Sequence, residues 1–293
     1  MKPILQHLRF PFSILLMPVF LFACYTFDVT HVKAQYVNII LLFIILHLLV
    51  YPASNAYNST QDRDEGSVGL IKNPLPIPKQ LFAITILFDL LAFIACSFID
   101  YSTTILLAIY IIASRLYSWR RVRLKKYPIL GFITVFICQG ALVFYIVMSV
   151  LETKQEFIVA LISHLPFALV ASLFIGSIYP LSQIYQHEQD KKDDVYTISA
   201  MLGYRNTFII SGIQFMLASF IFNYILFNDG RTIEMIIYNT SQLPVIIFFL
   251  IWFIRVMKDH TKADFKHTMQ MNIISAVCMN VCFISLLLIK SFY

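Results

Sequence analysis

The sequence predicts an all-α polytopic membrane protein, and three observations carry that prediction: the apolar excess, the length of the apolar runs, and the sorting of positive charge between them. With 59% hydrophobic and 13% charged residues, a chain of 293 residues has too little polar surface to cover a soluble globule. Its mean hydropathy of +0.76 points the same way. Each run is close to the roughly 20 residues that an α-helix needs to cross the hydrocarbon core.

Nine runs follow one another, at about 10–28, 37–57, 80–99, 102–118, 129–150, 156–179, 207–227, 237–256 and 270–290. With the N-terminus placed in the cytoplasm, the loops alternate as the positive-inside bias requires. Only Lys33, Lys154, Arg231 and Lys290 then fall on the far side. The expected topology is a cytoplasmic N-terminus and a C-terminus on the opposite side. The formal charge of +6 is accounted for by that sorting, and no nucleic-acid partner is needed. Far-side connections such as "FIDYST" and "LETKQE" are short, whereas the cytoplasmic ones are long and hold most of the charge. Function is therefore expected on the cytoplasmic side. One of these loops, "LIKNPLPIPKQ", carries three prolines that forbid a regular helix, and the chain restarts at Lys79. Cys24, Cys96, Cys138, Cys278 and Cys282 lie in or beside apolar runs, without the spacing of a disulfide framework or a zinc site.

An internal repeat sets the organisation. "YPASNAYNSTQD" at 51–62 returns as "YPLSQIYQHEQD" at 179–190, with Tyr, Pro, Ser, Tyr, Gln and Asp in identical order and spacing. The two copies end spans of the same orientation. The chain thus parses as one domain, 1–293, with a first helix at 10–28 and two parallel four-helix repeats at about 37–150 and 156–290. The basic segments "SRLYSWRRVRLKKYP" and "IRVMKDHTKADFKH" occupy corresponding places.

Each copy of the repeat ends in carboxylates. In a helix, residues four apart share a face, so Asn58 points with Asp62 and Asp190 with Asp194. Gathering Asp62, Asp190 and Asp194 beside hydrocarbon is unfavourable unless a cation offsets the repulsion. Oxygen donors, including the Asn58 carbonyl, suit Mg²⁺, which takes one or two carboxylates and fills its other positions with water or phosphate. The loop holding Arg121, Arg123, Lys125 and Lys126 lies on the same face and suits a diphosphate. Taken singly, "DKKDD" also reads as a solvated helix end and the basic loop as a topology signal or a contact for anionic lipid. The register of the repeat favours the joint site.

"NSTQD" followed by "RDEG", and "DKKDDVYTISAMLG", resemble the two aspartate-rich motifs of the UbiA superfamily of intramembrane prenyltransferases. Arg9 stands where that family has an Arg opening its first helix, and "YSWRRVRLKK" is similar to its Tyr-Ser-x-Pro-Pro-x-Lys-Leu-Lys segment. The resemblance implies a nine-helix bundle around a central cavity that binds an isoprenyl diphosphate through Mg²⁺ and opens sideways to lipid. It implies metal ligation by Asn58, Asp62, Asp190 and Asp194, with the three aspartates as the catalytic set. Arg9, Arg123 and Lys125 would grip diphosphate oxygens, with Lys72 and Arg205 as further cations. The chain departs from the pattern in three places. Ser59 replaces the first motif's first Asp, Gly66 stands at its third acidic position with Asp64 and Glu65 displaced, and Arg120 and Arg121 replace the prolines.

The expected reaction is transfer of the isoprenyl group to an aromatic or other lipid-soluble acceptor. Its 27 Phe and 16 Tyr can wall a dry pocket for an allylic cation. Tyr57, Tyr117 and Tyr185 are nearest the motifs. Asp89, a charge within a span, reads either as a base toward the acceptor or as a hydrogen-bonded structural group. A membrane terpene cyclase would need the same metal motifs. An ion-coupled transporter fits less well, because charge gathers at one interface and the repeat runs parallel.

Overall fold

In the computed structural model, which describes residues 1–62, 66–152 and 157–292, regular structure is helical and no strand forms among those residues. The long helices are α1 (Lys2–Thr26), α2 (Tyr36–Asp62), α3 (Leu81–Ser97), α4 (Tyr101–Ser118), α5 (Pro128–Leu151), α6 (Leu165–Gln183), α7 (Ile198–Asn228), α8 (Thr232–Lys258) and α9 (Phe265–Ser291). Seven of them, α1, α2 and α5 to α9, are long and apolar enough to cross a membrane. The third and fourth expected runs also form helices. However, α3 has 17 residues, about 26 Å at 1.5 Å per residue, and α4 is diluted by hydroxyl side chains and Arg115.

Several of the long helices are interrupted, each for a readable reason. Pro11 has no N–H to give the His7 carbonyl and its ring would clash there, so α1 cannot run straight through. The chain breaks at Arg9 (φ 50, ψ 45) and restarts with Pro11 in the new first turn. Both α2 and α5 contain a π-helical stretch, Ile45–Val50 and Phe136–Leu142. In the second stretch the Ala141 N–H donates to Ser172 Oγ of α6 at 2.9 Å. Gly140 makes that approach possible, since a Cβ there would lie 2.7 Å from the Ser172 backbone nitrogen. Gly203 (φ 70, ψ 174) kinks α7 near its start, and Thr207 Oγ1 returns a hydrogen bond to the Gly203 carbonyl at 2.7 Å.

The bundle is solid at one end and hollow at the other. At the solid end Phe22 packs against Phe283 (ring centroids 5.2 Å), Phe222 (5.4 Å) and Phe144 (6.0 Å), joining α1 to α9, α7 and α5. Lys290 Nζ donates to the Phe27 carbonyl at 2.7 Å, and the Tyr25 hydroxyl donates to Glu234, so this end is also tied by charge. His47 and His164 serve packing: His47 stacks on Phe43 at 4.1 Å and His164 on Phe27 at 4.7 Å. The opposite end carries both copies of the repeat.

Gly140→Ala is expected to lower stability by about 1–3 kcal/mol, the usual effect of overpacking a tight contact, because its neighbour is backbone and cannot step aside. Thermal unfolding of detergent-solubilised protein checks this; an unchanged midpoint would mean that α5 and α6 separate freely.

Candidate functional site

A cavity of ≈ 820 Å³ fills the hollow end, within the size range of small-molecule sites. Corresponding residues of the two repeat copies line it: Ser54 and Ser182, Asn55 and Gln183, Asn58 and Gln186, Asp62 and Asp190. The first copy forms one continuous helix to Asp62. The second leaves α6 after Gln183, makes a turn, and continues as a short helix, His187–Lys192. Tyr117 and Tyr179 bridge the two walls, hydroxyl to hydroxyl at 2.6 Å.

Asp62 is buried, and both of its oxygens face cations from the loop between α4 and α5. Arg123 Nη2 donates to Oδ1 at 3.2 Å and Lys125 Nζ donates to Oδ2. Arg123 also donates to the carbonyl of Asp193 at 3.1 Å and to its carboxylate, so one guanidinium joins the first copy to the segment just after the second. Asn58 Oδ1 accepts from Ser118 Oγ at 2.8 Å. Arg9, at the break in α1, donates to Ser59 Oγ at 2.6 Å and lines the cavity. The segment after residue 65 folds over this end. Gln186 Nε2 donates to the Ser67 carbonyl at 3.2 Å, and Gly69 (φ 52) lies so close to the Arg9 side chain that a Cβ would meet its Nη1 at 3.1 Å.

Among the described residues, the non-glycine positions with positive φ are Arg9 (50°), Arg123 (48°) and Asp194 (53°). All three are predicted site residues. A left-handed L-residue costs about 1–2 kcal/mol, and such strain concentrates at functional sites.

The expectation that Asp190 and Asp194 share a helix face is corrected by the backbone. The short helix stops at Lys192, Asp194 takes the left-handed position, and the N–H groups of Asp194 and Val195 bond back to the carbonyls of Lys191 (3.3 Å) and Asp190 (2.8 Å). This is a Schellman cap with Asp in the place usually given to Gly. Asp190 lines the cavity, whereas the Asp194 side chain is 87% exposed and accepts from Lys126, which holds its carboxyl below the usual carboxylate range. His187 hydrogen-bonds Ser199 Oγ at 2.8 Å, and burial pushes its imidazole below the ordinary value, leaving it neutral at pH 7. Lys125 lines the cavity; Lys72 and Arg205 are exposed and do not. Asp64 and Glu65 lie outside the described residues.

The model of the UbiA prenyltransferase family matches residues 14–275. The chain belongs to that family. No curated protein matches it. Solved structures share its fold at low identity. A UbiA homolog from Archaeoglobus fulgidus bound to GPP and Mg²⁺ is 17% identical with a TM-score of 0.65, over 97% of this chain and 99% of that one. An apo UbiA homolog from Aeropyrum pernix K1 is 14% identical with a TM-score of 0.59, over 94% and 98%. A digeranylgeranylglyceryl phosphate synthase is 16% identical with a TM-score of 0.57, over 98% and 97%.

For a UbiA protein the donor set at the charged end is oxygen-only: the carboxylates of Asp62 and Asp190 and the amide of Asn58. Among the described residues no group of three His, Cys, Asp or Glu converges on one point. Two carboxylates with an amide fit a hard cation such as Mg²⁺, which completes its octahedron with water and phosphate oxygens. The sequence reading missed Ser118, Asp193 and Tyr179 as members of the site. Tyr179 opens the second repeat copy and Asp193 sits within "DKKDD", so their positions carried a signal; Ser118 stands beside Tyr117 with none.

Asp89 does not line the cavity. It pairs with Arg115 (Nε to Oδ2, 2.9 Å), which also donates to the Ala53 carbonyl at 3.3 Å and lies 4.3 Å over the Tyr57 ring. The pair fixes α3 and α4 against α2, the role of a structural carboxylate. Asp89→Leu is expected to destabilise by about 1–3 kcal/mol by leaving the half-buried Arg115 without its counter-ion, and Asp89→Leu with Arg115→Met to recover most of that loss. Equal unfolding midpoints for the single and double variants would reject the pairing as the cause.

Proposed function

We propose that this family member transfers an isoprenyl group from an isoprenyl diphosphate to a lipid-soluble acceptor. The observation that carries the reading is the convergence of matched repeat residues, Asp62 and Asp190 above all, on one cavity whose same end holds Arg9 and Lys125. The Archaeoglobus homologs bound to GPP and Mg²⁺ and to DMAPP and Mg²⁺ support it by fold.

In this reading Asn58, Asp62 and Asp190 would hold Mg²⁺, which would supply positive charge to the departing diphosphate. The chain's own residues do the rest. Without a diphosphate, Arg123 and Lys125 neutralise Asp62; with one, they and Arg9 turn to its oxygens by charge-assisted hydrogen bonds. The C1–O bond of the allylic diphosphate breaks with its electron pair leaving on oxygen. The acceptor then bonds to C1 and passes its proton to the released diphosphate. Tyr117 and Tyr179 present rings to the cationic carbon, and the apolar wall around Phe174 and Phe215 excludes water. The sorting of Lys and Arg supports a cytoplasmic position for the charged end. Cyclisation of the prenyl chain would use the same end, but the neutral polar wall of α7 to α9 argues for a separate acceptor.

Asp62→Ala and Asp190→Ala are each expected to abolish Mg²⁺-dependent turnover of labelled geranyl and farnesyl diphosphates while the protein still inserts; normal activity in either would exclude the assignment. Asp194→Gly keeps the left-handed backbone and is expected to retain activity, whereas a loss as deep as that at Asp190 would place its carboxylate on the metal. Chelation by EDTA should weaken geranyl diphosphate binding as well as turnover, because Asp62 then keeps Arg123 and Lys125 engaged; unchanged affinity in a binding titration would contradict that exchange.

A further inference from the structure

We propose that Arg120 and Asp193 form a clamp that sets the separation of the two carboxylate walls, which makes Arg120 a positioning residue for Asp62 and Asp190 in metal binding. The inference rests on the prenyl-transfer reading and adds two residues to which that reading gives no part.

Both residues are peculiar to this chain's version of the motifs. Arg120 stands at the first of the two proline positions in the Tyr-Ser segment, and Asp193 falls between the paired aspartates Asp190 and Asp194. A proline at 120 would have no N–H to give. Arg120 uses its own, donating to Gln61 Oε1 at 3.3 Å. Its side chain then caps the last turn of α2, with Nε donating to the Gln61 carbonyl and Nη2 to the Asp62 carbonyl at 3.3 Å. Carbonyls at a helix C-terminus have no partner within the helix, and a cation there also meets the negative end of the dipole. Asp62 is the last residue of that helix. Arg120 therefore holds the backbone from which the Asp62 carboxylate projects, while Arg123 and Lys125 hold the carboxylate itself.

The same guanidinium reaches the second wall. Arg120 Nη2 lies 3.5 Å from Asp193 Oδ1, and the Asp193 N–H donates to the Asp190 carbonyl at 3.1 Å. One side-chain pair thus links the backbone of Asp62 to that of Asp190. The left-handed turn at Asp194 sends that carboxylate out to Lys126, and the carboxylate one residue earlier is the one that meets the first repeat.

Neither Arg120 nor Asp193 lines the cavity, so their effect on the site passes through the residues they hold. Arg123 also pairs with Asp193, but in the proposed reaction it turns to diphosphate oxygens. Arg120 then remains on Asp193 and keeps the walls together while the substrate is bound. The sign of its effect separates this role from simple charge. A cation beside a metal site repels the metal, so on charge alone its deletion tightens metal binding. Loss of a clamp does the reverse, because partners that orient metal ligands are worth roughly 10–100-fold in affinity. For a half-exposed pair the lower end of that range applies.

The test uses the full chain in nanodiscs of neutral lipid, with Mn²⁺ as the probe and geranyl diphosphate present without acceptor. Free Mn²⁺ is read by electron paramagnetic resonance against a blank of empty nanodiscs and geranyl diphosphate. Arg120→Ala and Asp193→Asn are each expected to weaken Mn²⁺ binding about tenfold. The double variant should be no weaker than the weaker single one, since either change opens the same clamp. Arg120→Lys keeps the charge without the fork and is expected to bind Mn²⁺ more nearly as Arg120→Ala does than as the parent does. In turnover, the Mg²⁺ concentration for half-maximal rate should rise while the rate at saturating Mg²⁺ stays near that of the parent, a split that general loss of structure does not produce. Unchanged or tighter Mn²⁺ binding in Arg120→Ala, full recovery by Arg120→Lys, or additive losses in the double variant overturns the clamp. Should Arg120→Ala fail to fold, as judged by its unfolding midpoint, unchanged Mn²⁺ binding in Asp193→Asn overturns it equally. A parent protein that binds no geranyl diphosphate in the presence of Mn²⁺ would instead sink the prenyl-transfer reading.

Discussion

The grip of Arg123 and Lys125 on Asp62 is the interaction on which the charged end depends. An isolated carboxylate buried at the head of a membrane bundle is strongly disfavoured, and two cations within hydrogen-bonding reach make it tolerable. Because the cations come from the loop between α4 and α5 and the carboxylate from the end of α2, the pair closes one repeat upon itself. Arg123 then continues to Asp193, just beyond the second copy. One guanidinium thus holds together segments that the helices alone would leave apart. The resulting neutrality is conditional, since any anion that takes the cations leaves Asp62 in need of another partner.

The backbone bears the mark of the same demand. Arg9 and Arg123 reach the cavity end from left-handed positions, where an L-residue is strained. At Arg9 the cause is local: Pro11 forbids the continuous helix, and the break turns the guanidinium toward Ser59. At Arg123 the chain has just left α4 and must reverse before Pro128 opens α5, and the strained residue is the one whose side chain meets both Asp62 and Asp193. Asp194 belongs to another category. Its left-handed angle is that of a helix cap, and its carboxylate points to Lys126 in solvent. Strain at the first two is tied to contacts inside the site, a hydrogen bond to Ser59 at Arg9 and ion pairs at Arg123, while at the third it is tied to ending a helix.

Much of this was legible in the sequence, and the parts that were not share a cause. Apolar run length and charge sorting are properties of single segments, so the helical class and the approximate position of every long helix could be read directly. The repeat is a comparison of two segments, and its matched Ser, Asn/Gln and Asp positions do line one cavity. What escaped was the difference between the copies. They share six of twelve letters in register, yet one is a continuous helix and the other turns after Gln183, where Ser199 N–H reaches its side chain at 3.4 Å from a distant segment. A helical i, i+4 rule applied to Asp190 and Asp194 had no access to that contact. Asp89 was ambiguous for the same reason, since its partner Arg115 lies on another helix and the i, i+4 spacing that pairs charges within one helix has no counterpart between helices.

The breaks in the helices explain why a cavity exists at all. Within hydrocarbon an irregular backbone is tolerated only where it is buried in protein or lines a polar space. This chain places its interruptions accordingly. The π stretch of α5 presents Cys138 and Gln139 to the cavity while its freed Ala141 N–H is taken by Ser172. The break in α1 leads into Phe12 and Leu15 on the same wall, and the end of α6 delivers Gln183 and Gln186. Where α1 and α9 are regular, around Phe22 and Phe283, the bundle closes into aromatic packing and no space remains. The hollow end is hollow because its helices stop, turn or widen there, and the polar side chains around the cavity follow from backbone groups that had to be met by something other than lipid.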